Sequence, residues 1–254
     1  MLLAIDVGNT NTVIGLFKGA ELVHSWRLTT APQQTVDEYG ILFRNLFEPA
    51  GFQANQVSWA IISCVVPPLQ ETLRAMCDSY FNIKALVVGP GIKTGIALQV
   101  DHPQEVGADR IVNAIAAFNT YGGPAIVVDF GTATTFDPIN KSGAFLGGAI
   151  APGVNISAEA LYKAAAKLPR VEIQRPRRVI GKNTVENIQS GLFFGYTGLV
   201  DGILSAMKSE MDGDPVVIAT GGLGETFQRI SPLIQHYDPN LTLKGLQLIH
   251  NKNS

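Results

Sequence analysis

Leu2-Leu3-Ala4-Ile5 is an unbroken apolar run that stops at Asp6, and Thr12–Lys18 and Glu21–Thr29 follow it around a Gly19-Ala20 turn. Short apolar or alternating runs bounded by turn residues are strands, so the chain opens with a three-stranded meander. The spacing then predicts a helix over Val36–Phe47, a strand over Val57–Cys64, a helix over Pro68–Tyr80 and a strand over Lys84–Gly89. After a linking helix the pattern restarts. Ala125-Ile126-Val127-Val128 stops at Asp129, and strands are expected over Ala133–Pro138 and, past a turn at Asn140-Lys141, over Ala144–Ile150. A helix from about Asn155, a longer one over Val185–Met211, a strand over Pro215–Thr220, a helix over Leu223–Gln235 and a last strand over Gly245–His250 complete it. Both halves therefore read β-β-β-α-β-α-β, giving an α/β chain of two domains, 1–117 with the linking helix and 118–254.

The two strand ends carry one pattern, 123 positions apart: Asp6-Val7-Gly8-Asn9-Thr10-Asn11-Thr12 and Asp129-Phe130-Gly131-Thr132-Ala133-Thr134-Thr135. A glycine after the strand lets backbone amides approach an anion with no Cβ in the way, and the aspartate can hold a hydrated cation. One such turn is equally an ordinary hairpin, because Asp and Gly end strands everywhere. Two copies, each followed by the same order of elements, point to a pair of phosphate turns. That arrangement is similar to duplicated actin-like (ribonuclease H-like) ATPase domains, in which the nucleotide occupies the cleft between the halves.

A third segment, Gly107-Ala108-Asp109-Arg110, stands where the loop residues Pro103-Gln104-Glu105-Val106 give way to apolar helical spacing from Ile111. A carboxylate in a first helical turn is favoured by the helix dipole, and free amides nearby can hold an anion. Read locally, this is an ordinary helix start. Placed on the helix joining two phosphate turns, Asp109 can accept a proton from an attacking hydroxyl, and Arg110 can bind an acidic substrate or steady charge on the transferred phosphoryl.

Composition narrows the field. With 46% hydrophobic and 16% charged residues over 254 positions the chain is globular, and a net charge of −2 gives no footing for nucleic acid or an anionic membrane surface. No run reaches a membrane span, and the apolar start lacks a basic region before Asp6 interrupts it, so no targeting signal is read. Cys64 and Cys77 have no Cys-x-x-Cys spacing and are expected to be small buried hydrophobes in a reducing cytoplasm. His24, His102, His236 and His250 are scattered and receive no catalytic role.

Together with Gly181-Lys182-Asn183-Thr184, Leu168-Pro169-Arg170-Val171-Glu172 and Gly221-Gly222-Leu223-Gly224, these motifs resemble bacterial type III pantothenate kinase over most of the chain. The resemblance implies ATP-dependent phosphorylation of pantothenate to 4'-phosphopantothenate, the opening step of coenzyme A synthesis, by a cytoplasmic homodimer. It implies that Asp6 through Val13 and Thr132 hold ATP, that Gly107, Ala108, Asp109 and Arg110 contact pantothenate with Asp109 as proton acceptor, and that Thr184 completes that site. It places a monovalent cation, K+ or NH4+, on Asp129, and Mg2+ with the nucleotide, reached by Asp6 through water. Val100 stands where the family commonly has a tyrosine lining the substrate site, which removes a hydroxyl and a ring face.

Gly221-Gly222 ends a strand and opens a helix, where actin-like proteins lay the adenosine against backbone; as an isolated dipeptide it is also an ordinary loop. The basic run Arg170–Lys182 reads first as a solvated surface segment, with a phosphate-binding arm as the alternative its arginines leave open. Ile188, Leu192, Phe193, Tyr196, Leu199, Val200, Ile203 and Leu204 form a wide apolar stripe on the long helix, which leaves room for a partner subunit as well as a core. The rivals are another small-molecule kinase of the actin-like group, a filament or chaperone ATPase, and a regulatory accessory relative that binds without turnover. Asp6, Asp109 and Asp129, all present, weigh against the last.

Overall fold

A computed structural model describes residues 1–254. The first part of the chain contains β1 (Leu2–Val7), β2 (Asn11–Lys18), β3 (Glu21–Thr29), α1 (Val36–Phe47), β4 (Trp59–Cys64), α2 (Pro67–Phe81), β5 (Leu86–Val87) and α3 (Ala108–Tyr121). The rest contains β6 (Ala125–Phe130), β7 (Ala133–Ile139), β8 (Ala149–Pro152), α4 (Val154–Ala164), α5 (Thr184–Glu210), β9 (Val216–Gly221), α6 (Gly224–Gln228), β10 (His236–Tyr237) and α7 (Leu241–Asn253). Against an expected division at 117, the compact units are 1–96 with 101–116 and 240–254, and 97–100 with 117–239. The boundary falls inside α3, and the C-terminal helix belongs to the first unit.

In the first unit the sheet order is β3-β2-β1-β4-β5, with β1 antiparallel to β2 and parallel to β4. β1 is apolar from Leu2 to Ile5 because both of its faces are covered there. Leu3, Ile5 and Val7 join Tyr39, Phe43, Leu69 and Leu73 from α1 and α2, while Leu2 and Ala4 join Val112, Ile115, Leu246 and Ile249 from α3 and α7. Thr35 and Glu38 close a capping box that starts α1.

The strand expected at Gly245–His250 is instead part of α7. Leu246, Leu248 and His250 alternate as a strand would, but Leu243, Leu246 and Ile249 repeat at three residues and supply the second face of the first sheet. Gly245 makes that packing possible: a Cβ there would lie 2.2 Å from the Val112 carbonyl oxygen, so the helices touch backbone to backbone.

In the second unit the order β10-β9-β6-β7-β8 repeats the first topology. Asp6 is paired with Val13 on β2 and Ser63 on β4; Asp129 is paired with Thr135 on β7 and Thr220 on β9. The helix expected over Leu223–Gln235 stops at Gln228, where Pro232 disfavours helical backbone at Ser231, and Ser231 turns its hydroxyl to the Asp201 carboxylate and accepts from Leu233 N at 3.2 Å. The last strand of this sheet is consequently His236–Tyr237. The strand expected over Ala144–Ile150 begins only at Ala149, because Gly147 and Gly148, with φ of 101° and 152°, break it after Phe145.

Candidate functional site

The first hairpin is tied at its base. Gly8 N donates to Asn11 O at 3.0 Å, and a Cβ on Gly8 would come within 3.1 Å of the same oxygen. Asn9 and Thr10 are left exposed at the tip. Thr30, just past β3, holds the loop from behind: its hydroxyl donates to Gly8 O at 2.7 Å and lies 3.0 Å from the Thr12 hydroxyl, and its amide donates to Thr10 O at 2.9 Å. Sequence reasoning missed Thr30, which sits outside any motif; a buried threonine at a strand end is its only signal.

Asp6 is half-buried and alternates with Leu2 and Ala4, so it projects from the sheet face that α3 and α7 cover. The chain holds no cluster of three or more His, Cys, Asp or Glu side chains able to bind a metal. The Asp6 carboxylate fits magnesium, which keeps most of its waters and takes phosphate oxygens with one or two carboxylates.

The start of α3 covers the same face, with Ala108 and Ile111 packed on that core. Arg110 N donates to Asp109 Oδ1 at 2.8 Å. The carboxylate folds back over Gly107, where a Cβ would lie 2.6 Å from Oδ1. Burial pushes the Asp109 carboxyl above the ordinary aspartate range, and the Arg110 amide and guanidinium offset only part of that. A carboxylate short of solvation and free of a strong ion pair is suited to take a proton.

In the second unit the structure brings Asp129, Gly131, Thr132 and Gly221 together. Gly221 has φ of 84°, and a Cβ on it would lie 2.5 Å from Asp129 Oδ1 and 2.7 Å from Phe130 O. The Asp129 carboxylate can therefore lie against this stretch of backbone only because residue 221 has no side chain. Thr132 O accepts from Gly153 N at 3.2 Å, and a Cβ on Gly153 would lie 2.2 Å from that oxygen, so the second hairpin rests on the first turn of α4. Tyr196 fixes the other side: its hydroxyl bonds the Thr134 hydroxyl and donates to Pro152 O at 3.0 Å. Gly222 is exposed, with nothing within 4 Å of where a Cβ would be.

Val100 and Thr184 lie elsewhere in this unit. Val100 is half-buried, 3.6 Å from the Cβ position of Gly147, at the end of a segment tied to Phe145 through Gln99 N and Ala97 O. Thr184 is the exposed first residue of α5, after Asn183, whose side chain accepts from Glu186 N at 2.9 Å. Both cysteines are free thiols; Cys77 is buried in the α2 core and pushed up to about 12.

The family profile of type III pantothenate kinase matches residues 2–206. The chain is 54% identical over 254 residues to the type III pantothenate kinase of Syntrophus aciditrophicus (strain SB), covering all of both. Among solved structures, a Baf family protein from Campylobacter jejuni aligns over 99% of this chain and 98% of its own with a TM-score of 0.63 at 20% identity. The inorganic polyphosphate/ATP-glucomannokinase of Arthrobacter sp. strain KM aligns over 99% and 98% with a TM-score of 0.53 at 13% identity. The structural likenesses carry the actin-like kinase fold alone; the full-length identity carries the activity. The chain belongs to the type III pantothenate kinase family, and it is a pantothenate kinase of coenzyme A biosynthesis.

Proposed function

We propose that the phosphoryl group passes directly and in line from ATP to the primary hydroxyl of pantothenate, with Asp109 as general base and no phosphoenzyme. The observation that carries this reading is the Asp109 carboxylate itself, half-buried in the first turn of α3 and raised in pKa by the desolvation it meets there. Asp109 takes the hydroxyl proton, and Arg110 with the Gly107-Ala108 backbone holds the acidic substrate. The Asp6–Val13 hairpin presents its amides to the phosphates. Asp6 would hold Mg2+ through water, and the ion would supply positive charge to the β- and γ-phosphates. Because such transition states are loose, holding and neutralising these groups supplies most of the rate.

In the second unit, Asp129 and the oxygens around Gly221 are assigned to K+ or NH4+, Thr132 to ATP, and Gly221-Gly222 to the adenosine. Val100 and Thr184 are assigned to pantothenate. The exposed face of α5 supports a homodimer. Phe193, Tyr196, Val200 and Leu204 enter the core of their own unit, while Gly191, Gly195, Gly198 and Gly202 run along the outside with open space above them. Four glycines in one helix cost about 1 kcal/mol each against alanine, a sacrifice that a closely packed partner helix explains. Ile150, Ile156, Val179, Ile180 and Val185 of the same unit are exposed apolar residues available to that partner. No helix is long and apolar enough to cross a membrane. From the family to which the chain belongs we assign it ATP and pantothenate as ligands and a place in the cytoplasm.

A coupled ADP-release assay with pantothenate, Mg2+ and K+, run against glycerol, acetate and hexoses, tests the reading. Turnover is expected with pantothenate alone. Turnover with a control but none with pantothenate would overturn it.

A further inference from the structure

Ser63 is wholly buried near the end of β4, yet its hydroxyl has no hydrogen-bond partner. Buried hydroxyls are nearly always paired in native structures, so an unpaired one needs a reason. Its position supplies one. Parallel pairing sets Ser63 beside Asp6, and strand alternation puts it on the face of Ile61, which packs with Leu2, Ala4, Val112 and Ile115 under α3 and α7. Ser63 and Asp6 therefore project side by side from the face that carries Asp109 on its covering helix. The next residue does not share this face: Cys64 Sγ donates to Val66 O at 3.1 Å.

The internal duplication provides a control. Thr220 occupies the matching place in the second unit, paired with Asp129 as Ser63 is with Asp6. Its hydroxyl is spent within the protein, donating to Asp238 O at 2.8 Å. The same sheet position is thus saturated in one unit and open in the other, and the open one adjoins the carboxylate assigned to magnesium. A hydroxyl that can both donate and accept is suited to a metal-bound water, which donates to an oxygen while a carboxylate accepts its second proton.

We infer that Ser63 is a positioning residue for the nucleotide's magnesium: its hydroxyl holds a water of the ion's shell that the Asp6 carboxylate also holds, so that the two together fix the ion. This rests on the assignment of Asp6 to Mg2+. Ser63 takes no part in the proton transfer to Asp109 and touches the ion only through water.

The test uses the full-length protein as Ser63→Ala, Ser63→Thr and Asp6→Asn, with Mn2+ binding in the presence of ADP followed by electron paramagnetic resonance, beside the Mg2+ dependence of turnover. Removing an unpaired buried hydroxyl leaves the melting temperature of Ser63→Ala unchanged or higher. The Mn2+ dissociation constant of Ser63→Ala is expected to rise about tenfold or more, the worth of a hydrogen bond to a charged group, with the KM for pantothenate little changed. Ser63→Thr, which carries the residue found at the matching position, is expected to stay within about threefold of wild type. Wild-type Mn2+ affinity in Ser63→Ala, or a folded Ser63→Thr as weak as the alanine variant, overturns the inference. Unchanged affinity in Asp6→Asn shows instead that the Asp6 assignment has failed, and the inference with it.

Discussion

The carboxylate of Asp129 lies against the bare Cα of Gly221, so close that a Cβ there would stand 2.5 Å from Oδ1. Gly221 also has φ of 84°, a conformation that side chains resist. Gly221→Ala must therefore push the carboxylate aside and strain the end of β9, at about 1–3 kcal/mol. The expected outcome is a higher potassium concentration for half-activation together with a lower melting temperature. Gly222→Ala, in open space, is expected to leave both near wild type. Equal behaviour of the two variants in a potassium titration would separate Gly221 from the cation site.

Asp129→Ala removes the anionic ligand itself. Activity of the wild-type enzyme is expected to be low in sodium or Tris buffer and to rise saturably with K+ or NH4+, and the variant is expected to lose that rise. Full wild-type activity in buffer scrubbed of monovalent cations would refute the assignment.

Asp109 couples catalysis to stability through one raised pKa. The base must be ionised, so kcat/KM for pantothenate is expected to fall with pH through a value above the ordinary aspartate pKa of about 4, and Asp109→Asn is expected to lose that limb and two to four orders of magnitude in kcat. For stability the sign is opposite. Between the unfolded and folded pKa values the native state binds more protons, so its stability is greatest below the unfolded value and declines as pH rises through the folded one. At neutral pH the buried charge costs stability, and Asp109→Asn is expected to melt higher than wild type. A lower melting point would place the carboxylate in a stabilising role.

Much of this architecture was legible because the signals were local. The two Asp-x-Gly turns and the apolar runs of β1 and β6 each declare themselves within about seven residues, and the duplication gave the order of the rest. What escaped depends on distant partners. Alternation in Leu246-Gln247-Leu248-Ile249-His250 reads as strand until Val112 of α3 is seen pressing on Gly245. Thr30 looks like a strand end until Gly8 and Thr12 are found on its hydroxyl. Ser63 becomes noticeable only when Thr220, at the matched register, proves to be satisfied.

Thr30 makes its own prediction. Thr30→Val keeps the shape but leaves the Gly8 carbonyl and Thr12 hydroxyl without their partner, at about 1–3 kcal/mol. The first hairpin loosens, so the KM for ATP is expected to rise more than that for pantothenate, and Thr30→Ser is expected to retain both. An equal rise in the two constants would mean that Thr30 supports the unit in general rather than the ATP loop.

The glycine face of α5 and the exposed Thr184 at its first residue make a prediction about assembly. If two copies pack α5 against α5, Gly195→Leu inserts a side chain where none fits and is expected to yield monomers by sedimentation with an intact fold by circular dichroism. If Thr184 also reaches pantothenate bound mainly by the neighbouring subunit, the two functions separate in mixtures. Chains carrying Asp109→Asn lack the base but keep Thr184; chains carrying a bulky replacement of Thr184 keep the base but block the substrate. Each parent is expected to turn over at most at a small fraction of the wild-type rate, whereas a mixed dimer holds one site with both groups intact. Mixing is therefore expected to restore up to one working site per heterodimer, with exchange followed by a fluorescence pair on the two chains. A mixture that exchanges fully and stays as inactive as its parents would show that each site is built from a single chain.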